Sequence, residues 1–188
     1  MGRIIITEFV SLDGVIEDPG GSEDFAHGGW SFEFSRGEEG DAFKLEETMG
    51  AEALLLGRVT FEGFAQAWPS RGGEFADKFN SMPKYVVSST LQDPGWTNST
   101  VVSGDLAEAV AGIRARHEGD VVVHGSARLA QALLADDLVD EVRLMVFPVV
   151  LGSGKRLFGE SNDAKRLRLV SSQVVGDGVA IMVYEPAR

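Results

Sequence analysis

DVVVHGSARLAQALL, residues 120–134, places an apolar run, a glycine turn and a helical repeat in immediate succession. Val121, Val122 and Val123 read as a buried strand, because a continuous β-branched run suits a sheet covered on both faces. Gly125 turns the chain. Ser126 is placed to cap a helix whose Leu129, Ala130, Leu133 and Leu134 recur at three- and four-residue intervals. A strand that runs directly into a helix is half of a parallel βαβ unit, so the deciding question is whether its neighbours repeat the pattern.

Upstream they do. Asp105 and Glu108 have capping-box spacing, and Leu106, Val110 and Ile113 follow at helical intervals, which predicts a helix over 106–116 that Gly119 ends. Further back, KYVVS at 84–88 and the segment 100–102 read as strands. ALLLG at 53–57 is a strand followed by a helix carrying Phe61, Phe64, Ala65 and Trp68, with Thr60 as its cap and Pro69 as its end. RIIITEFV at 3–10 has apolar side chains on both alternating faces, the mark of a central strand. Between these, residues 15–37 crowd Gly20, Gly21, Gly28, Gly29 and Gly37 around Pro19, Trp30 and Phe32, a long loop placed to cover a site. A helix from about Glu38 follows, with Phe43, Leu45 and Met49 toward the inward side and Gly50 as its stop.

Downstream the pattern changes. VDEVRLMVFPVV, KRLRLVSSQVV and VAIMVYE are three apolar runs separated by turns, and their close succession predicts antiparallel strands. The expected fold is therefore a three-layer α/β/α sandwich with a mixed, mostly parallel central sheet and an antiparallel C-terminal part.

Composition narrows the function. The 188 residues fit a single domain, 1–188, and the 44% hydrophobic content is that of a globular chain. Seventeen Lys and Arg against 29 Asp and Glu give a net charge of -12, which disfavours nucleic acid as a partner. With no cysteine there is no disulfide, thiol nucleophile or thiolate metal site. His27, His117 and His124 are too scattered for a zinc motif, so no metal is expected. No basic leader precedes the first apolar run and no stretch is long enough to span a membrane, so a cytoplasmic protein is expected.

Several residues could carry chemistry. Gly57, Arg58 and Thr60 combine close backbone approach, a guanidinium and a helix start, which suits a phosphate or a simple cap equally. Gly125, Ser126 and Ala127 offer a second anion cradle. Neither GxGxxG nor GxxxxGK[ST] occurs, which disfavours an ordinary Rossmann or P-loop domain. His124 reads as a satisfied strand-end histidine ahead of a base. Asp13, in SLDG, either holds its own turn or accepts a hydrogen bond from a substrate. Glu141 and Arg143 share one side of their strand and imply an edge ion pair or a polar ligand pocket. Gly152, Gly154, Lys155 and Arg156 form a glycine-rich crossing whose basic groups either lie in water or meet an anion.

Taken in order, TEFVSLDGVIE, LLLGRVTFEGF, KYVVSST, VVVHGSARLAQALL and VDEVRLMVFPVVLGSGKRLF resemble the dihydrofolate-reductase-like superfamily, especially the reductase domain of bacterial riboflavin-biosynthesis deaminase-reductases and its stand-alone relatives. The likeness spans nearly the whole chain. It implies an NADPH-binding domain, commonly a homodimer, with cofactor contacts at Gly57, Arg58 and Thr60, at Ser88 or Ser89, and at Gly125, Ser126 and Ala127. Arg58 would meet the phosphate that distinguishes NADPH from NADH. Asp13 and Glu141 match the family's substrate side and are the expected catalytic pair. The activity implied is NADPH-dependent reduction of a small heterocyclic or ribosylaminopyrimidine-like substrate, 5-amino-6-(5-phosphoribosylamino)uracil among them. Two alternatives stand beside it, a noncatalytic NADPH-responsive binding protein and dihydrofolate reductase itself. The second is disfavoured because GEEGDAFKLEETMG offers Glu38, Glu39, Asp41 and Lys44 without a clear single buried acid. No zinc deaminase motif precedes the reductase-like part.

Overall fold

A computed structural model describes residues 1–160 and 163–187. Its strands are β1 (Arg3–Ser11), β2 (Ala51–Gly57), β3 (Lys84–Val87), β4 (Ser99–Val102), β5 (Asp120–His124), β6 (Glu141–Phe147), β7 (Leu167–Val175) and β8 (Val179–Pro186). The helices are α1 (Gly37–Gly50), α2 (Arg58–Ala67), α3 (Glu74–Ser81), α4 (Leu106–Arg114) and α5 (Ala127–Ala135). The strands form one sheet in the order β4-β3-β2-β5-β1-β6-β8-β7. β1 to β6 run parallel to one another, and β8 and β7 close the β6 edge antiparallel. The mixed α/β architecture is the one expected.

Helices cover the sheet on both faces, which is why β1 carries apolar residues in both phases. Ile4, Ile6 and Val10 pack with Val110 and Ile113 of α4 and Leu129 and Leu133 of α5. Ile5 on the opposite face joins Leu54, Leu56, Val86 and Val122 under Phe61 of α2 and Phe79 of α3. A third apolar patch gathers Trp30, Met145, Phe147, Val175 and Ile181 beneath a single 3-10 turn at Trp30–Glu33.

The 15–37 segment is ordered by its own polar groups and one aromatic anchor. Asp18 accepts hydrogen bonds from the amides of Ser22 and Phe25, and the Trp30 indole donates to the Glu17 carbonyl at 2.8 Å. The Trp30 ring meets Phe147 edge-on at 5.5 Å between centroids.

Four local expectations change. Helix α3 falls where none was foreseen; it is eight residues long, and its signal was Phe75 and Phe79 one turn apart after Gly72 and Gly73. In α1 the fully buried positions are Gly40, Lys44, Glu47 and Thr48, while Leu45 is half-buried and Met49 is exposed. Thr60 does not cap α2: it is buried in the first turn, and its Oγ1 accepts from the Ser126 amide at 2.9 Å. Ser126 likewise leaves α5 without a side-chain cap, because its hydroxyl donates to the His124 carbonyl and accepts from the Gly57 amide, both at 2.9 Å.

Lys84, which opens β3, is fully buried, and its ammonium donates to the carbonyls of Phe79, Asn80 and Met82 at 2.7–3.0 Å. Those carbonyls end α3, and the charge also lies 4.4 Å from the centre of the Trp96 ring. Burial lowers its pKa to about 8, so it remains an ammonium at neutral pH. Replacing Lys84 by Met leaves three buried acceptors without a donor, at a cost of about 3 kcal/mol. Thermal unfolding of Lys84→Met at pH 7 is expected to shift Tm down by roughly 6–12 °C; an unchanged Tm would show that α3 ends without this charge.

Candidate functional site

In an open parallel sheet a ligand site forms outside the carboxyl ends of the strands, where neighbouring connections depart to opposite faces. β5 is such a place. Its connection leads to α5 on the Ile4–Ile6 face, whereas β1 and β2 on either side lead to α1 and α2 on the Ile5 face. The crevice therefore opens between Gly57, His124 and the end of β1.

The two glycine turns foreseen in the sequence meet here. Gly125 has φ +54, and a Cβ built on it would lie 2.9 Å from Thr60 Oγ1, so the β5–α5 turn approaches α2 too closely for a side chain. Ser126, also left-handed at φ 59, accepts a strained conformation that its cross-links to Thr60, Gly57 and His124 hold in place. The start of α2 and the start of α5, with Ala127 as its first residue, thus open side by side, and neither carries a side-chain cap. Uncapped helix amides beside each other favour an anion.

Arg58 stands at the first position of α2. It is exposed, holds Glu62 at 2.8 Å and donates to the Thr90 hydroxyl. The Ser88 hydroxyl accepts from the amides of Thr90 and Leu91 at 3.2 and 3.0 Å and so shapes the turn that brings Thr90 to Arg58. Ser89 is exposed on the same turn. All of the expected cofactor positions thus lie along the carboxyl ends of β2, β3 and β5.

The expected catalytic pair is not brought together. Asp13 accepts from Ser11 Oγ at 2.6 Å and from the amides of Leu151 and Gly152 at 3.1 and 2.8 Å. Arg156 lies 3.8 Å from the same carboxylate and donates to the Asp13 carbonyl. The Ser11 hydroxyl and the two amides lower the Asp13 pKa to about 2, which disqualifies it as a proton donor near neutrality. Asp13 ties the 11–14 turn to the 150–156 crossing, as its turn-holding reading expects. Lys155 is tied likewise through its amide to Glu17 at 2.9 Å.

Glu141 begins β6 opposite Ile5, toward the amino ends of the strands. Its two oxygens meet Arg3, at 2.7 Å, and Arg143. Arg143 also reaches Asp120 at 2.9 Å and Glu47 at 3.4 Å. β6 lies between β1 and β8, so this is an interior ion network and not an edge pair. It borders a cavity of about 330 Å³ lined with Phe43, Glu47, Asp120 and Val183. With both oxygens spent on guanidinium groups, Glu141 is a poor general acid or base. A larger cavity of about 910 Å³ lies between α2, α3 and residues 91–97, with Glu62, the partner of Arg58, in its lining.

Three groups to which the sequence reading assigned no site role lie near the crevice. On α1, the Lys44 ammonium contacts Glu47 and donates to Thr7 Oγ1 at 3.0 Å, while that hydroxyl donates to Glu47 Oε1 at 3.0 Å. Glu47 is the buried acid of this helix that the sequence left unidentified. Lys44 and Arg143 hold its pKa down against the desolvation that would raise it. His124, level with Thr7, packs near the rings of Phe79 and Phe64, at 5.4 and 6.2 Å. The side chain is half-buried, and its ring nitrogens make no hydrogen bond to a described residue. Burial, with Lys44 adding to it, lowers its pKa to about 3 and keeps the imidazole neutral. Glu8, on the other face of β1, accepts from the Gly125 amide at 3.1 Å with one oxygen, and its other oxygen is buried without a partner. Desolvation pushes its pKa well above the carboxylate range.

Among the described residues no cluster suited to a metal ion occurs, and no helix is long and apolar enough to cross a membrane.

The family model described as RibD C-terminal domain matches residues 3–181, and the chain belongs to that family, which is reductase-like. The uncharacterized Bacillus subtilis (strain 168) protein YyaP is 29% identical over 187 residues, covering 97% of this chain and 94% of its own. A putative riboflavin biosynthesis protein from Shewanella sp. PV-4 superposes with a TM-score of 0.80 at 25% identity, covering 99% of both chains. The Thermotoga maritima diaminohydroxyphosphoribosylaminopyrimidine deaminase/5-amino-6-(5-phosphoribosylamino)uracil reductase superposes at 0.65 with 16% identity, over 99% of this chain and 57% of that one. The fold is that of RibD-like and dihydrofolate-reductase-like reductases.

The raised Glu8 pKa has a definite sign in stability. The protonated carboxyl suits its buried position, so its contribution is complete below the ordinary value of 4.5 and is lost as pH rises through the folded-state pKa. Glu8→Gln keeps an acceptor for Gly125 and does not titrate. Its Tm relative to the unsubstituted protein is expected to rise as pH rises above 4.5 and to level off once Glu8 ionises in the fold; parallel melting curves from the ordinary value upward would mean that Glu8 is already ionised in the fold.

Proposed function

We propose that this RibD C-terminal domain protein is an NADPH-dependent reductase of a small heterocycle of ribosylaminopyrimidine type. The observation that carries the reading is the pair of uncapped helix starts, α2 and α5, joined through Gly57, Thr60, Gly125 and Ser126, with Arg58 at the rim. The fit to a dinucleotide rests on three features of this chain. The Gly125 turn leaves no room for a side chain, the first turns of both helices carry no side-chain cap, and Arg58 reaches the Ser88–Thr90 turn. Residues of the α5 turn, with Ala127, would hold the pyrophosphate, while Arg58, Ser88 and Ser89 would hold the phosphorylated ribose. When bound, NADPH supplies the hydride.

The protein's own groups orient and shield. The pinned 15–37 segment flanks the site with Trp30 buried on Phe147, which limits water at the reacting centre. Thr7, Lys44 and Glu47 form a charge-compensated floor on the α1 side. That compensation argues against the dihydrofolate reductase reading, because Glu47 is shared between Lys44 and Arg143 and is not free for a cationic ring.

A guanidinium–phosphate contact contributes about 1.5–3 kcal/mol when partly shielded, and Arg58 is exposed and shared with Glu62, so the lower end applies. Calorimetric titration should give NADPH the higher affinity, and Arg58→Ala should weaken NADPH about tenfold and leave NADH within twofold. Equal affinities for both cofactors, untouched by the substitution, would remove Arg58 from the site. NADPH binding without turnover across a broad panel of heterocycles would instead favour a cofactor-responsive binding protein.

A homodimer is part of the same proposal. β7 is an edge strand of nine residues on which Leu169, Val170 and Val174 are 47%, 47% and 72% exposed. Such an edge invites another strand or sheet face, and a second copy supplies a self-complementary one. Light scattering should return twice the 20.2 kDa chain mass, with Val174→Lys shifting it toward the single chain; a constant single-chain mass over a hundredfold concentration range, on the order used to resolve weak dimers, would reject it.

A further inference from the structure

Of the buried carboxylates that face the sheet, Glu47 and Glu141 each meet an ammonium or guanidinium, and Glu8 meets none among the described residues. Glu8 is 5% exposed. Its Oε2 accepts from the Gly125 amide at 3.1 Å, and its Oε1 is buried without a hydrogen-bond partner. A carboxyl group so placed relieves the cost of burial by holding a proton, because no cation offsets its charge. The charged groups within reach do not supply one. Lys44 and Glu47 of α1 oppose each other, and Glu23 of the 15–37 segment adds like charge. Beside Glu8 in the register, β6 contributes only Leu144, and β5 contributes the glycine turn that follows neutral His124. Helix α5, over that face of β1, contributes Arg128, which is exposed.

The amides of that turn are divided in chain order. Gly125 donates to Glu8 and Ser126 donates to Thr60 Oγ1. The amides of Ala127, Arg128 and Leu129 precede the first bond of α5, which runs from the Ala130 amide to the Ser126 carbonyl, and no side chain caps them. A carboxyl group and a bound anion therefore hold neighbouring amides of one turn. We propose that Glu8 is a positioning residue that ties anion binding at the β5–α5 turn to a proton: the turn takes a phosphate group well while Glu8 is neutral and poorly once Glu8 is ionised. The inference rests on the reading of this turn as the place of the cofactor phosphates. Two negative groups on one turn repel, and burial of one of them leaves that repulsion weakly screened. The sign follows from linkage. Anion affinity is complete where Glu8 holds its proton and falls as pH rises through the Glu8 ionisation; reciprocally, a bound anion draws a proton onto Glu8. A fall of about tenfold in affinity corresponds to an upward displacement of about one pH unit in that ionisation.

The test uses the full chain, with NADP+ and, separately, inorganic pyrophosphate as the anion, at pH values upward from the ordinary carboxyl value of 4.5. Calorimetry in two phosphate-free buffers that differ in ionisation enthalpy reads affinity and proton uptake together. As pH rises, NADP+ binding to the unsubstituted protein is expected to weaken about tenfold more than binding to Glu8→Gln, with a proton uptake that Glu8→Gln lacks. The phosphates of NADP+ titrate in both proteins, so the difference belongs to Glu8. Glu23→Gln should keep the coupling. Carbon-13 labelling of the glutamate carboxyls gives a second reading in the unsubstituted protein. Saturating NADP+ should move the Glu8 titration up by about one pH unit, and this measurement decides alone if Glu8→Gln does not fold. The proposal is overturned if the unsubstituted protein and Glu8→Gln follow one pH curve, if the Glu8 titration stays in place when NADP+ binds, or if Glu23→Gln abolishes the uptake. Failure of NADP+ to bind, with pyrophosphate still showing the Glu8-dependent coupling, would sink the reductase reading and leave this one standing. Failure of both anions to bind at every pH would overturn both.

Discussion

Gly125 is the position on which the site depends. A left-handed backbone with no Cβ lets the β5–α5 turn press against Thr60, and the Ser126 hydroxyl then bridges to the Gly57 amide. Two helix starts that are 66 or more residues apart in sequence are thereby fixed within one hydrogen bond of each other. Strain at Ser126, on the order of 1 kcal/mol, is offset by its cross-links. The Thr60 and Ser126 hydroxyls are used to join α2 and α5, and neither helix start carries a side-chain cap.

The second constraint is the polar inner face of α1. A helix that buries Lys44, Glu47 and Thr48 against a sheet forgoes hydrophobic burial there, and paired buried charges offer little net stability in return. What they supply is position. Lys44 and Glu47 bond Thr7 of β1, Glu47 reaches Arg143 of β6, and Arg143 continues to Asp120 of β5. One network thus fixes α1 over three strands and presents a floor of balanced charge.

A third arrangement keeps the mouth of the crevice in shape. Asp13 gathers the Ser11 hydroxyl and two amides of the 150–156 crossing, while Glu17 takes the Lys155 amide and Trp30 donates back to Glu17. Carboxylates that accept several hydrogen bonds become rigid anchors and lose the freedom to trade protons. The acidic residues near the start of the chain therefore divide by environment: Asp13 and Glu17 hold loops, and buried Glu8 behind Gly125 stays protonated more readily.

The sequence by itself determined the alternation of strand and helix, the antiparallel end, and the glycine turns at Gly57 and Gly125. These are local properties: period-two and period-3.6 apolar repeats, and the capping box at Asp105, whose side chain accepts from the Glu108 amide at 2.9 Å as its spacing foretold. Helix α3 was missed because eight residues with two aromatic anchors give too short a repeat to register. The roles of single polar residues were decided only by the tertiary structure. Thr60 and Ser126 looked like caps until the chain brought them together. Asp13 and Glu141 were grouped by motif, and the fold sets them at opposite ends of the strands, each with a partner more than 130 residues away in sequence. Glu47 was not singled out in the acidic run of α1, and only packing buried it beside Lys44. A polar side chain acts through the partner it meets, and in this sheet of crossing connections that partner is set by the fold and not by its neighbours in sequence.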